Sequence, residues 1–177
     1  SNHPRNRQQL LHRGATSHNL IMKRLAVGTE APDFQAYSQE GSRVSLSELL
    51  KKGPVVLFFY PKDFTAGCTS QACTFRDLHD EFSKLGSTII GISADSDESH
   101  RQFAHKYELP FYLVSDKEKI LHRKYRVGKR WGLMPERITF VVDTDGRIKY
   151  VFDSAFYVNK HSTNALEKIY QLIPNTS

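Results

Sequence analysis

Two cysteines, Cys68 and Cys73, are the only thiols in this chain of 177 residues, and they lie five positions apart. A turn-forming segment, residues 61–67, precedes Cys68, and an apolar run, residues 54–60, precedes that segment. The run is rich in β-branched and aromatic residues, which is typical of a strand buried on both faces. Thr65 stands where a helix cap would stand, so the sequence predicts that Cys68 lies in or near the first turn of a helix.

A cysteine at that position is suited to nucleophilic chemistry. The N-terminus of a helix carries partial positive charge, which stabilises the thiolate, and the thiolate is the reactive form of cysteine. Lys62 and Arg76 add positive charge nearby in the sequence. An activated thiolate attacks the O–O bond of a peroxide and becomes a sulfenic acid. The alternative is that Cys68 is an inert, buried, small apolar residue; the polar turn before it disfavours that interpretation.

The spacing of the two cysteines adds a conformational requirement. On a continuous helix, Cα atoms five residues apart are separated by about 8.7 Å. A disulfide needs Cα atoms within about 7 Å. If Cys68 and Cys73 pair, the first turns must therefore unwind, which predicts an element that is helical when reduced and locally unfolded when oxidised. The second thiol would condense with the sulfenic acid and protect it from over-oxidation, and an external dithiol would restore the pair.

Residues 61–68, PKDFTAGC, match the P-x-x-x-T-x-x-C signature of the peroxiredoxins. With a second cysteine five residues later, the chain resembles the peroxiredoxin Q (bacterioferritin comigratory protein) subfamily. The resemblance runs from about residue 25 to residue 173 and includes APDF, GIS and PER at positions 31–34, 91–93 and 135–137. Residues 153–161 resemble the cyanobacterial and plastid members.

This resemblance implies roles for five residues. Cys68 is the peroxidatic cysteine and Cys73 the resolving cysteine; Thr65 hydrogen-bonds the thiolate or the peroxide. Arg137 occupies the position of the active-site arginine, and Pro61 shields the thiolate from bulk water. Without the resemblance, Arg137 would be interpreted as an ordinary solvated arginine and Thr65 as a simple helix cap.

The resemblance also implies substrates, partners and a compartment. The expected substrates are hydrogen peroxide and small alkyl hydroperoxides, and the expected reductant is thioredoxin or a similar dithiol. No metal, organic cofactor, nucleic acid or membrane is expected to take part, and members of the subfamily are often monomers. A zinc site of Cys68, Cys73 and His79 is disfavoured because no fourth ligand stands at standard spacing. The bacterial cytoplasm and the plastid stroma are the candidate compartments, and secretion is not expected.

The rest of the pattern predicts the elements that position these residues. Apolar residues at helical spacing extend the cysteine helix to Leu85, and Gly86 is a plausible C-cap. Further strands are predicted at 87–93, 111–114, 138–142 and 148–152, and further helices at 95–107, 116–125 and 163–173. Parallel crossovers followed by an antiparallel hairpin are typical of a thioredoxin-like α/β fold, in which helices flank a mixed central sheet.

Three shorter segments carry weaker predictions. Gly41 is predicted to divide a small hairpin, and Ser47 to cap a short helix ending near Leu50. Residues 127–135, which include Trp131, are predicted to form a loop.

The net charge of +6 is concentrated at the start of the chain. Residues 1–29 carry five Lys or Arg, three His and no acid, whereas the remainder is nearly neutral. We therefore predict a basic flexible tail at 1–24 and one peroxiredoxin domain at 25–177. The tail is interpreted as part of a targeting segment or as sequence upstream of a start at Met22. Binding of a polyanion is disfavoured because no aromatic residue precedes Phe34 and no dense basic cluster is present.

Two other functions compete with a peroxidase. A general thiol–disulfide oxidoreductase would carry C-x-x-C, whose sulfurs pair without unwinding, but this chain has C-x4-C. A binding module acting through the basic tail would tolerate Cys68→Ser and would lose its activity with the tail.

Overall fold

A computed structural model describes residues 24–130 and 134–174. Residues 1–23 of the predicted tail and Trp131 lie outside the described residues. Arg24, at the predicted domain boundary, forms ion pairs with Glu136 and Asp153. No helix in the described part of the chain is both long and apolar enough to cross a bilayer.

The central sheet has five strands: β3 Val55–Phe59, β4 Thr88–Ser93, β5 Tyr112–Ser115, β8 Ile138–Val142 and β9 Ile148–Asp153. Their order across the sheet is β5-β4-β3-β8-β9. The middle strand, β3, runs parallel to β4 and antiparallel to β8, and every residue of β3 is buried. The predicted doubly buried strand and the antiparallel hairpin are confirmed.

Within the described residues, six helices and two small hairpins accompany this sheet. The helices are α1 Leu46–Leu50, α2 Ala66–Asp77, α3 His79–Lys84, α4 Asp97–Tyr107, α5 Ile120–Lys124 and α6 Lys160–Leu172. The hairpins pair β1 Gln35–Tyr37 with β2 Arg43–Ser45, and β6 Lys129–Arg130 with β7 Met134–Pro135. Helices flanking a mixed sheet confirm the predicted thioredoxin-like fold.

Each face of the sheet carries its own apolar core, because β3 alternates its side chains between the two. Phe59 points into one buried cluster, and Phe58 into the other, where it stacks on Phe75 of α2 at 4.5 Å between ring centroids. Cys68 belongs to the second cluster. The packing of α2 on this face therefore fixes where the sulfur lies.

The predicted cysteine helix is interrupted, which corrects one expectation. Leu78 has φ −97° and ψ 1°, and it separates α2 from α3. Phe75 and Phe82 are still fully buried, so the predicted apolar face is present although its helix is in two pieces. Gly86 follows α3 with φ +72°, a conformation that favours glycine, as its predicted role as a C-cap requires.

Four predictions of local structure are wrong. Ser45, not Ser47, caps α1, and its hydroxyl accepts from the N–H of Glu48. The helix predicted at 116–125 shortens to α5, and α6 begins three residues earlier than predicted. The predicted loop at 127–135 contains the β6–β7 pair.

Candidate active site

The turn between β3 and α2 presents Cys68 as predicted. Thr65 is the N-cap residue of α2, and Cys68 is the third residue of the helix, with 2% of its surface exposed. The Thr65 hydroxyl does not cap the helix; it donates to the Lys62 carbonyl at 2.8 Å. The N-terminal backbone N–H groups of α2 thus receive no side-chain cap, which leaves their partial positive charge close to the sulfur.

Arg137 lies against the sulfur because of the sheet register. Phe59, the last residue of β3, pairs with Ile138, the first residue of β8. Arg137 therefore stands at the same edge of the sheet as the turn that follows β3. Its Nη2 donates to Cys68 Sγ at 3.4 Å. A guanidinium at this distance stabilises negative charge on the sulfur.

Gln71 is a site residue that the sequence reasoning missed. It lies one turn after Cys68 on α2, is fully buried, and accepts a hydrogen bond from Arg137 Nη1 through its Oε1. A polar side chain three residues after Cys68, on the buried helix face, was the available signal. Gln71 holds the guanidinium in place without bringing a second negative charge to it.

Gly67 makes room for the arginine. A Cβ added to Gly67 would lie 3.1 Å from Arg137 Nη2 and 3.7 Å from Val158 Cγ1. The first distance is shorter than an ordinary van der Waals contact, so the guanidinium would have to shift by a few tenths of an ångström.

Replacing Gly67 with alanine should separate reactivity from stability. Alanine is favoured over glycine in a helix by up to about 1 kcal/mol, so we expect the free energy of unfolding to be unchanged or higher. We expect the reaction with hydrogen peroxide to slow by roughly threefold to tenfold because Arg137 is displaced from Sγ. Urea unfolding tests the expected stability, and stopped-flow kinetics on the same preparation test the expected rate. An unchanged rate would show that a small shift of Arg137 does not affect the reactivity of Cys68.

His161 supports β8, the strand that begins directly after Arg137. Its ring is fully buried, its Nδ1 accepts from the Thr139 hydroxyl at 2.8 Å, and its Nε2–H donates to the Ser154 carbonyl at 2.8 Å. Burial, aided by the positive charge of Arg137, lowers the pKa of His161 to about 4. The imidazole is therefore neutral at pH 7 and adds no second cation beside the site.

This buried histidine predicts an acid-sensitive fold. Because the pKa of His161 is depressed in the folded protein, its contribution to stability is fully present above pH 6.5 and is lost as pH falls towards 4. The loss should reach about 3 kcal/mol. His161→Gln can keep both hydrogen bonds without titrating, so urea unfolding of this variant should depend less on pH in that window than wild type. Equal pH dependence would refute the assignment.

Cys73 and Pro61 complete the predicted set. Cys73 is half-buried, and both thiols are free. The two cysteines lie in one helix, Ala66–Asp77, so their pairing requires α2 to unwind. Pro61 is half-buried at the start of the turn.

Among residues 24–130 and 134–174, one group could bring three metal-ligating atoms together: Asp63, Asp95 and His100, within 4.8 Å of one another. His100 Nδ1 is hydrogen-bonded directly to the Asp63 carboxylate at 2.7 Å, so the two potential ligands already satisfy each other. The disfavoured cluster of the two cysteines with His79 does not form such a group within these residues.

The chain is similar to known proteins in sequence and in structure. The AhpC/TSA family model matches residues 27–151. Chloroplastic peroxiredoxin Q of Sedum lineare is 42% identical over 155 residues, which cover 87% of this chain and 83% of the relative; that of Triticum aestivum is 40% identical over 161 residues, covering 90% and 74%.

Two solved structures are similar over nearly their whole length. Peroxidoxin BcpB from Mycobacterium tuberculosis superposes with a TM-score of 0.78 at 35% identity, covering 85% of this chain and 99% of that one. Peroxiredoxin Q from Xanthomonas campestris gives a TM-score of 0.74 at 30% identity, with coverage of 82% and 97%.

Proposed function

Since this chain belongs to the AhpC/TSA family and, within it, to the peroxiredoxin Q group, we propose that Cys68 is its peroxidatic cysteine and Cys73 its resolving cysteine. The protein is a thiol-dependent peroxidase with a thioredoxin-like fold; the family reduces peroxides through a cysteine and a disulfide and draws electrons from thioredoxin-type reductants. The observation that carries the assignment of Cys68 is the contact between its Sγ and Arg137 Nη2 at 3.4 Å.

The first step uses Arg137 and the helix N-terminus. The Cys68 thiolate attacks one peroxide oxygen, the S–O bond forms as the O–O bond breaks, and the other oxygen leaves as water or an alcohol after it takes a proton. The product is the sulfenic acid of Cys68. Arg137 stabilises the thiolate and the negative charge that develops on the leaving oxygen.

Thr65 and Pro61 shape the place where the peroxide binds. The hydrogen of the Thr65 hydroxyl is donated to the Lys62 carbonyl, so its oxygen is left as an acceptor for the O–H of a peroxide. Pro61 brings an apolar ring without an N–H donor to the start of the turn, which limits the access of water to the sulfur.

Thr65→Val tests the proposed acceptor. Valine keeps the shape of threonine and removes the oxygen, so we expect the second-order rate constant for hydrogen peroxide to fall by roughly tenfold to 100-fold. Thr69→Val, on the next turn of α2, is the matched control and should react at nearly the wild-type rate. Equal rates for both variants would exclude the role given to Thr65.

The second step requires the two cysteines to meet. After α2 unwinds, Cys73 loses its proton and its thiolate attacks the sulfenic sulfur of Cys68. The S–S bond forms as the S–O bond breaks, and the hydroxyl leaves as water after it takes a proton, which balances the one that Cys73 lost. A thioredoxin-type dithiol then reduces the disulfide by thiol–disulfide exchange and is itself oxidised, which returns both cysteines to thiols.

Intact-mass measurement after one equivalent of hydrogen peroxide tests both cysteine assignments. Wild type should lose two hydrogens as the disulfide forms, and Cys73→Ser should gain one oxygen as a sulfenic acid. Cys68→Ser should keep its mass. If Cys68→Ser gained the oxygen instead, the two roles would be exchanged.

We also propose that the protein acts as a monomer, on hydrogen peroxide and small alkyl hydroperoxides, without a cofactor, nucleic acid or membrane. Sedimentation of the reduced protein tests the monomer. The plant relatives are chloroplastic and the structural neighbours include bacterial proteins, which supports the plastid stroma or the bacterial cytoplasm as its compartment.

Residues 1–24 are proposed as a tail dispensable for catalysis. Peroxide kinetics after removal of residues 1–22 should match those of the full chain, whereas a binding module would lose its activity.

A further inference from the structure

A buried carboxylate lies inside the active-site turn. Asp63, within the turn 61–65, is 4% exposed. Its Oδ1 accepts from the Tyr60 hydroxyl at 2.6 Å, and its Oδ2 accepts from the Ser99 hydroxyl at 2.8 Å and from His100 Nδ1–H at 2.7 Å. The donors belong to the end of β3 and to the first turn of α4. One side chain therefore ties the turn to two other elements.

The backbone of the same residue is tied to β4. The N–H of Asp63 donates to Asp95 Oδ2 at 2.9 Å, and the Ser93 hydroxyl donates to the same oxygen at 2.7 Å. Burial, with the negative charge of Asp63 second, raises the pKa of Tyr60 well above its usual value, so its hydroxyl stays a donor. Opening a buried network in which every polar group is hydrogen-bonded costs a large free energy.

The start of α2 is held by other contacts: Cys68 Sγ and Gln71 Oε1 accept from Arg137, and Ser70 Oγ donates to Asn159 Oδ1. In its first two turns the buried side chains are Cys68, Gln71 and Ala72, and the other side chains are exposed or half-buried. Within the described residues, the side-chain hydrogen bonds of Asp63 reach β3 and α4, and none reaches α2. The turn and the helix that follows it are therefore stabilised by separate sets of contacts.

The conformation of the turn itself needs such support. Phe64 has φ +64°, which is strained for a bulky side chain. Its ring packs on Phe103 and Tyr107 of α4, at 5.2 and 6.4 Å between centroids. The strained residue is thus fixed on one side by the bonds of Asp63 and on the other by aromatic packing.

We propose that Asp63 is the fixed anchor of the redox element: it holds the turn 61–65 in place while α2 unwinds to form the Cys68–Cys73 disulfide. Asp63 does not touch the sulfur; it is a positioning residue that acts through the turn, which sets the place of Thr65 and the first residue of α2. The inference rests on the proposed function. It predicts that reaction with peroxide depends on the anchor, whereas disulfide formation does not.

Asp63→Asn tests this, and Asp116→Asn provides a matched control. Asp116 is also a buried carboxylate that follows a parallel strand and pairs with a histidine, His122 Nδ1, at 2.6 Å, but it does not contact the active-site turn. We expect Asp63→Asn to lower the second-order rate constant for hydrogen peroxide by about tenfold or more. The first-order rate of disulfide formation should be unchanged or higher. Asp116→Asn should change the peroxide constant by less than about twofold.

Ser99→Ala removes one donor to Asp63 and provides a milder test if Asp63→Asn does not fold. It should lower the peroxide constant in the same direction by a smaller factor. If Asp63→Asn and Ser99→Ala had second-order rate constants for hydrogen peroxide no lower than that of Asp116→Asn, the role proposed for Asp63 would be overturned. Failure of wild type to react in the same assay would instead refute the proposed function.

Amide exchange measured by NMR tests the fixed position directly. In the disulfide form, prepared with diamide, the Asp63 N–H should stay as protected as in the reduced form, while amides of residues 66–72 exchange faster. An Asp63 amide that exchanges as fast as those of α2 would overturn the proposal, because the turn would then open together with the helix.

Discussion

Cys68→Ser should lower the rate constant for the reaction with hydrogen peroxide by roughly four orders of magnitude or more, so that peroxide is lost no faster than in buffer alone. The reason is that a serine hydroxyl is not ionised at neutral pH and is a far weaker nucleophile than a thiolate. The fold should not change, since the side chain differs by one atom. Stopped-flow measurement on the prereduced protein is the direct assay.

Cys73→Ser is the informative comparison for that experiment. It retains the attacking thiolate and the Arg137 contact, so its first reaction with peroxide should be nearly as fast as that of wild type. It cannot form the intramolecular disulfide, so turnover with thioredoxin should fail and excess peroxide should carry Cys68 to the sulfinic acid. If the wild-type protein reacted with hydrogen peroxide no faster than a free thiol does, the roles proposed for Cys68 and Cys73 in peroxide reduction would be refuted. A function in thiol exchange or in binding would then be favoured.

Arg137→Met should slow the reaction with peroxide by about 100-fold. The variant keeps an apolar stem of similar length but removes the cation that lies 3.4 Å from Sγ and the donor to Gln71. Arg137→Lys should recover part of the rate, since it restores the charge without the planar fork that contacts both partners.

A surface arginine provides the control for Arg137. Arg123 is exposed on α5 and donates to the Glu118 carbonyl, so Arg123→Met should react at the wild-type rate. If Arg137→Met were as fast as Arg123→Met, the contact with the sulfur would have no catalytic consequence.

Local patterns were sufficient to predict most of the architecture. The buried strand β3, the hairpin around Asp143–Gly146 and the helical position of Cys68 each follow from periodicity and turn chemistry within a dozen residues. Arg137 was different: its own neighbourhood resembles that of an ordinary strand-edge arginine, and the family resemblance alone pointed to the site. The register between β3 and β8 is what brings it to Cys68.

The features missed from the sequence depend on contacts between distant residues. Gln71 becomes a site residue through its bond to Arg137, 66 positions away. Asp63 stands at a position that the P-x-x-x-T-x-x-C signature leaves open, and its partners Ser99 and His100 follow 36 and 37 positions later. The break at Leu78 is not visible in the apolar spacing, because Phe75 and Phe82 stand seven positions apart, as on a continuous helix, and both are buried.

Hydrogen exchange of the reduced and disulfide forms, followed by mass spectrometry across residues 65–77, is the most direct test of the unwinding mechanism. We expect this segment to be protected in the reduced protein and to exchange much faster in the disulfide form, because the sulfurs cannot pair on an intact helix. A Cys68–Cys73 disulfide form in which the segment keeps its full protection would contradict the mechanism.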